Sequence, residues 1–405
     1  MQSATSQGKR SAFAGLGRNV IILGFVSLFT DISSEMLYPV IPIFLTTVLH
    51  APMSVVGLIE GVAESTASLL KILFGWLSDR LTRRKPFVIA GYALSAVSKP
   101  LLALAGSWHL VLGSRMVDRL GKGIRTSPRD ALIASSCDAD SRGRAFGLHR
   151  AMDTTGAVIG PVLAVILLST LGYSYRSLFL LAFIPAVLGV GALLFVREAA
   201  RAAAPAAADA VLPHTGRRFD PDLLKFLAAY AIFALGNSSD VFLLLRAKDI
   251  GLSTNGVLMT YVFYNAVYAM TATPAGWLSD KLSRTSLLVG GLSVFSVVYV
   301  GFALATETWM IWPLFALYGF YGAATEGVSK ALVADLSRET SRGTAMGLMH
   351  TVTGILALVA SIAAGQLWSR VGPAAPFFYG AICALASAVA LVFLSARRSS
   401  GSKAK

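Results

Sequence analysis

From about residue 20 onwards the chain alternates long apolar stretches with short clusters of charge. A helix that crosses a bilayer needs about 20 mostly apolar residues. Twelve stretches meet that length, at about 20–47, 54–77, 86–105, 109–135, 145–170, 177–196, 226–245, 254–278, 286–305, 309–334, 343–368 and 375–396. The pattern predicts an all-α membrane protein with twelve transmembrane helices. One interval breaks the rhythm: residues 197–225 are rich in Ala and Pro, charged, and without a long apolar run. Such a segment reads as a flexible linker. The predicted organisation is a tail at 1–19, a six-helix bundle at 20–196, the linker at 197–225, a second six-helix bundle at 226–396 and a tail at 397–405. Residues 1–19 are polar and basic, and the apolar stretch after them is too long for a signal-peptide core, so no cleavable signal is expected.

Composition agrees with this reading and narrows it. Of 405 residues, 55% are hydrophobic and only 14% charged, where soluble domains carry roughly 25% charged residues. That excludes an ordinary soluble globule and a disordered chain. Two cysteines, Cys137 and Cys383, give no disulfide framework or metal cluster, and no cofactor is expected. The net charge of +14 is spread over short loops, which argues against a nucleic-acid partner and for membrane orientation. With the N-terminus inside, the inner segments hold 22 Lys and Arg residues and the outer loops four, Arg176, Arg246, Lys248 and Arg370. Both termini and the linker are therefore expected on the cytoplasmic side, in a bacterial inner membrane.

The chain also repeats itself. GWLSDRL at 75–81 recurs as GWLSDKL at 276–282, a shift of 201. At a shift of 200, Ser141-Arg142-Gly143 recurs as Ser341-Arg342-Gly343, followed by Ala145/Ala345, Gly147/Gly347 and Leu148/Leu348. Six predicted helices separate the copies, an even number, so the two six-helix pseudo-repeats run parallel and a central cavity is expected between them.

At these motifs the sequence resembles the major facilitator superfamily of transporters. Gly75-Trp76-Leu77-Ser78-Asp79-Arg80-Leu81-Thr82-Arg83-Arg84-Lys85 is similar to the family's G-x-L-a-D-r-x-G-R-K loop, with Thr82 where Gly is usual. Gly276, Asp280 and Arg284 form a weaker second copy, and Pro39-Val40-Ile41-Pro42 resembles a P-x-x-P common in the first span. The resemblance implies a cytoplasmic gate at Gly75, Asp79, Arg83 and Asp280. In span 5, Gly147, Gly156 and Gly160-Pro161 resemble the signature of members that work as antiporters, although Ala164-Val165 replaces its trailing Gly-Gly. Small residues there permit close helix contact, and Pro161 is expected to bend the helix. Arg115 stands where the family's span-4 signature places an Arg linked to proton coupling, while Asp118-Arg119 replaces the usual Gln-Gly.

Charges inside the spans say where the chemistry lies. Nine bases and nine acids fall within the predicted helices, fifteen of the eighteen before residue 196. A charge at mid-span costs about 2.5–3.5 kcal/mol, so these groups pair or line a wet cavity. Asp31 and Glu35 stand one turn apart on span 1, as do Glu60 and Glu64 on span 2. Such carboxylates repel when both are ionised, which suits a site that takes up and releases a proton; the alternative is that they only neutralise the bases of span 4. That span carries Arg115, Asp118, Arg119, Lys122, Arg125 and Arg129 near one face, with Pro128 at its inner end. Arg115 and Arg119 are assigned to the cavity, and Arg125 and Arg129 are expected to snorkel to the inner interface. Span 5 adds His149, Arg150 and Asp153. In the second half Asp240 stands alone, Glu326 and Lys330 have the spacing of a self-contained pair, and Tyr261, Tyr264, Asn265 and Tyr268 form a face that either contacts substrate or packs a helix seam.

No His-Glu-x-x-His or Gly-x-Ser-x-Gly motif occurs, and nothing else asks for an enzyme. The expected function is proton-coupled efflux of a small organic solute by alternating access, carried out by a monomer. The alternative is import or symport of an organic anion or metal chelate, which the span-4 cations favour.

Overall fold

The structure is a computed structural model, described for residues 17–80, 83–137, 142–198, 220–281, 283–337 and 342–402. Its helices fall on the predicted apolar segments. They are α1 (Arg18–Leu37), α2 (Val40–Thr47), α3 (Met53–Arg80), α4 (Lys85–Ala103), α5 (Trp108–Ser135), α6 (Arg142–Val165), α7 (Tyr175–Leu181) and α8 (Phe183–Leu193), followed by α9 (Pro221–Gly236), α10 (Val241–Asp249), α11 (Thr254–Lys281), α12 (Arg284–Leu304), α13 (Ile311–Asp335), α14 (Arg342–Arg370) and α15 (Ala375–Ser402). No strand occurs among the described residues.

Nine helical stretches among the described residues are long and apolar enough to cross a membrane: 18–47, 53–71, 85–103, 148–170, 175–193, 221–249, 284–304, 345–370 and 375–395. Helices α5, α11 and α13 are also long, at 28, 28 and 25 residues, but they are more polar. On α5 the polar groups point inward, with Arg115, Asp118, Arg119 and Arg125 all buried. Outward-facing residues such as Leu104, Leu194, Val297 and Phe393 are exposed and apolar, the surface that lipid tails cover at no cost in lost hydrogen bonds.

Helix ends follow local chemistry. Asp220 caps α9 by accepting from the Asp222 nitrogen at 2.8 Å, with Pro221 at the first helical position. Arg246 donates to the terminal carbonyls of α12 at Phe302, Ala303 and Ala305, and Arg176 does the same at Ala105 beyond α4. Among the described residues four take the left-handed conformation: His50, Gly172, Gly251 and Gly372. His50 and Gly251 are 201 positions apart, and Gly172 and Gly372 are 200 apart, the two shifts of the sequence repeat.

The structure departs from the predicted elements inside the spans. The first predicted span breaks at Tyr38-Pro39 between α1 and α2, and the seventh breaks at 237–240 between α9 and α10. In α6 the helix runs on through Pro161 and becomes a π-helical turn at Ile166–Thr170. The start of the predicted linker is anchored. Glu198 accepts hydrogen bonds from the Arg84 and Lys85 nitrogens at 2.7 and 3.0 Å, capping α4, and Arg197 exchanges two bonds with the Asn19 amide. Residues 199–219 of that linker lie outside the described residues.

Helix α1 packs on α6 and α8, α4 on α5, and α3 on α5. In the later part of the chain α9 packs on α14 and α15, α12 on α13 and α15, and α11 on α13. The two groups meet where α3 packs on α14 and α6 on α11.

Candidate functional site

Helices α3 and α5 are joined by two ion pairs in the same register. The Arg115 guanidinium bonds both carboxylate oxygens of Glu60 at 2.7 and 2.8 Å, and Arg119 pairs with Glu64 at 3.2 Å. Both helices carry their charges one turn apart, so matching one pair aligns the other. The pairs differ in setting. The side chains of Arg115 and Glu60 are 6% and 2% exposed, whereas Glu64 is 42% exposed. Asp118 extends the ladder, with Lys99 of α4 at 2.8 Å and Arg119 at 3.6 Å. A buried charge is tolerated when its partner is in place; each charge of this network has one, while the Nε atoms of Arg115 and Arg119 are buried without a hydrogen bond.

The same packing corrects one expectation. Arg125 does not snorkel. It is buried, donates to the Ser95 hydroxyl, and lies 4.4 Å over the Tyr92 ring. Helix α4 provides a polar and aromatic slot there, which meets the guanidinium inside the bundle. Arg129 pairs with its neighbour Asp130 at 2.9 Å.

The acids of α1 are held differently. The bases of α5 act on them through space, and their close contacts lie on other helices. The carboxyl of Asp31 meets that of Asp153 on α6 within hydrogen-bonding reach. Asp153 also accepts from the Ser27 hydroxyl and lies 3.6 Å from His149. Glu35 accepts a hydrogen bond from the Tyr261 hydroxyl of α11 at 2.7 Å. Gly156 and Gly160 seat α6 against this stretch of α1. A Cβ at Gly156 would stand 2.8 Å from the Asp31 Cβ, and one at Gly160 would stand 2.8 Å from the Ile32 carbonyl oxygen and 3.0 Å from the Glu35 Cβ. The span-5 glycines therefore set the position of the span-1 acids.

The aromatic face of α11 divides by role. Tyr261 is buried and committed to Glu35, and the Asn265 amide donates to the Tyr261 carbonyl on its own helix. Tyr264 packs on Tyr318 of α13, ring centres 5.4 Å apart. Tyr268 donates to Glu326 at 2.6 Å and receives a bond from Arg150 of α6 at 3.4 Å. Glu326 and Lys330, at 3.4 Å, thus belong to a larger cluster that crosses the α6–α11 seam.

Sequence reasoning overlooked the second break. Ser239 donates to Glu60 at 3.4 Å, its nitrogen bonds the Ser361 hydroxyl of α14 at 3.2 Å, and Asp240 accepts from Tyr318 at 2.6 Å. The available signal was Asn237-Ser238-Ser239-Asp240, a polar run inside an apolar segment.

Of the proposed gate, Arg83 is exposed at the loop before α4. The side chains of Asp79 and Asp280 and the surroundings of Gly75 lie outside what is described. Next to the second copy, Arg284 pairs with Asp335 at 2.7 Å. At the opposite end of the molecule the two helix groups touch through the Ser54 nitrogen and Ser369 hydroxyl at 3.1 Å, and through Ser169 and Asn255.

Comparison with known proteins agrees with this architecture. The family model for the Major Facilitator Superfamily matches residues 23–266 and 226–405. An uncharacterised MFS-type transporter of Methanocaldococcus jannaschii is 37% identical over 385 residues, covering 94% of this chain and 95% of the relative. The multidrug resistance protein MdtH of Cronobacter sakazakii is 27% identical over 363 residues, covering 86% and 83%. Among solved structures, a POT family transporter in complex with 5-aminolevulinic acid superposes with a TM-score of 0.80 at 13% identity, covering 96% of this chain and 98% of that one. A bacterial homologue of the human lysosomal transporter Spinster gives 0.72 at 16% identity, covering 93% and 94%.

Proposed function

Since the chain belongs to the major facilitator superfamily and is an integral membrane transporter of that family, we propose that it exports small organic solutes in exchange for protons, by alternating access. In this reading twelve spans form two parallel six-helix halves, 20–196 and 226–396, joined by a cytoplasmic linker at 197–225. The matched left-handed residues and the matched helix breaks support the repeat. The 22-to-4 division of basic residues supports cytoplasmic termini at 1–19 and 397–405 in a bacterial inner membrane. With that orientation, the contacts Ser54–Ser369 and Ser169–Asn255 close the outer end. The similarity to MdtH supports efflux.

The observation that carries the coupling is the Tyr261–Glu35 hydrogen bond. Glu35 has no ion pair among the described residues, and its hydrogen-bond donor belongs to the other half. A proton gained or lost at Glu35 therefore changes the contact between halves, and a ligand or proton drives a transition only through such a difference between states. Asp31 and Asp153 supply a pair of facing carboxyls one turn away, which repel when both are ionised. Glu60, Glu64, Arg115 and Arg119 form the neutral wall that keeps the cavity polar without a net sign.

Flux in vesicles tests this directly. An outwardly directed solute flux driven by an opposing proton gradient is expected; flux in the other direction with the proton sinks efflux and favours an organic-anion or metal-chelate importer. Glu35→Gln is expected to abolish gradient-driven flux while leaving solute-for-solute exchange. Loss of both, or of neither, refutes the assignment of coupling to Glu35. For the gate, Asp79→Ala is expected to insert normally and to reduce transport at least tenfold, about 1.4 kcal/mol in barrier height. Unchanged flux rules out that role for Asp79, and with it for Gly75, Arg83 and Asp280.

A further inference from the structure

Building on the reading of this chain as a carrier of small organic solutes, we infer that Asp240 and the tyrosines around it form a binding site for an organic cation, and that the transported solutes include amines or other positively charged organic molecules. The site lies where the two broken spans meet. The break after α1 leaves Tyr38 beside Ser239, and the break after α9 leaves Asp240 at the entrance to α10. Both breaks fall at one place in the repeat. Discontinuous helices at corresponding positions of the two halves are where transporters of this construction hold their ligands.

Three features set the chemistry. Asp240 has no basic partner among the described residues. The charged groups that act on it most are Glu60, Glu64 and Glu326, and each of those is already paired, with Arg115, Arg119 and Lys330. A carboxylate held away from bulk water without a countercharge is costly, and a cationic ligand removes that cost. Second, Asp240 is the main charged neighbour of four tyrosines from four separate elements: Tyr38, Tyr264 of α11, Tyr299 of α12 and Tyr318 of α13. Tyr264 and Tyr318 lie ring to ring at 5.4 Å, and Tyr318 donates to the carboxylate at 2.6 Å. Aromatic faces around a carboxylate attract an organic cation and give its apolar parts contact area. A proton would neutralise Asp240 equally well but has no use for the rings. Third, Asp240 and Ser239 are only half-buried, and Ser239 reaches Glu60 of the other half, so the site faces the seam that alternating access opens.

Equilibrium dialysis of the purified full-length chain in detergent, with tetraphenylphosphonium as probe and triphenylphosphine oxide as its uncharged counterpart, tests the site without any gradient. The wild type is expected to bind the cation at least tenfold more tightly than the neutral oxide, about 1.4 kcal/mol. Asp240→Asn is expected to erase that preference with little change for the oxide. If the Asn variant does not fold, two others decide. Asp240→Glu keeps the charge and is expected to stay within about threefold of wild type, while Tyr264→Leu removes a ring face and is expected to weaken cation binding about tenfold. Unchanged cation binding in Asp240→Asn, or equal loss of cation and oxide in a variant with the native melting profile, overturns the proposal. The outcome is separable from proton coupling: a chain that binds the cation through Asp240 but shows no gradient-driven flux retains this site and loses the exchange reading. Gradient-driven flux with no cation preference does the reverse.

Discussion

Arg115→Ala is expected to cost the protein about 3–5 kcal/mol and to abolish transport. The reason is the burial of its partner. With the guanidinium gone, Glu60 stays 2% exposed and retains one long contact, the Ser239 hydroxyl at 3.4 Å. An unpaired carboxylate in that position must be neutralised or the helices must part. Glu60→Gln combined with Arg115→Gln is expected to recover most of the lost stability, since two neutral amides can bond each other, yet to transport poorly. Thermal unfolding in detergent separates the cases. A double variant that melts as low as Arg115→Ala shows that the pair is not what holds α3 to α5. The surface pair Lys225–Asp222, 57% and 35% exposed, provides the contrast: Lys225→Ala is expected to change stability by less than about 1 kcal/mol.

Gly160→Leu is expected to be as damaging to activity for a purely steric reason. A Cβ there would stand 2.8 Å from both the Ile32 carbonyl oxygen and the Met36 nitrogen. These are backbone atoms of α1, so no rotamer change relieves the clash and the whole helix must move. Overpacking of this kind costs about 1–3 kcal/mol. The displaced segment carries Glu35, whose bond to Tyr261 joins the two halves. Gradient-driven transport is therefore expected to fall much further than stability does. Gly113 on α5 is the control, because a Cβ there meets nothing within 4 Å; Gly113→Ala is expected to fold and transport normally. Equal transport by Gly160→Leu and wild type refutes the argument that the span-5 glycines position the span-1 acids.

Much of the architecture is readable from the chain because it rests on local quantities. The length of an apolar stretch sets whether it can span a bilayer, and the helices coincide with those stretches. Charge pairs are readable only up to their spacing. Glu60/Glu64 and Arg115/Arg119 each show a one-turn interval, but that interval is identical in Asp31/Glu35. Helix packing assigns the first two sets to each other and sends Asp31 to Asp153 and Glu35 to Tyr261. Arg125 illustrates the same limit. Its position near a helix end suggests snorkelling, and the Tyr92 ring that holds it inside is 33 residues away.

The helix breaks mark the boundary most clearly. Tyr38-Pro39 and the run Asn237 to Asp240 are visible as residues, and hydropathy averages them into continuous spans. Their meaning depends on what stands opposite each one. Only when α1, α11, α12 and α13 converge does Asp240 acquire four tyrosines and, among the described residues, no base. The linear chain is sufficient for membrane character and the charge asymmetry of its loops, because each follows from composition within a window of about 20 residues, and its repeated loop motif carries the family resemblance. The choice of partner for every buried charge lies beyond it. That choice is made by helix–helix contacts between residues up to 226 positions apart, and in a medium without water the free energy of each buried charge depends on those contacts.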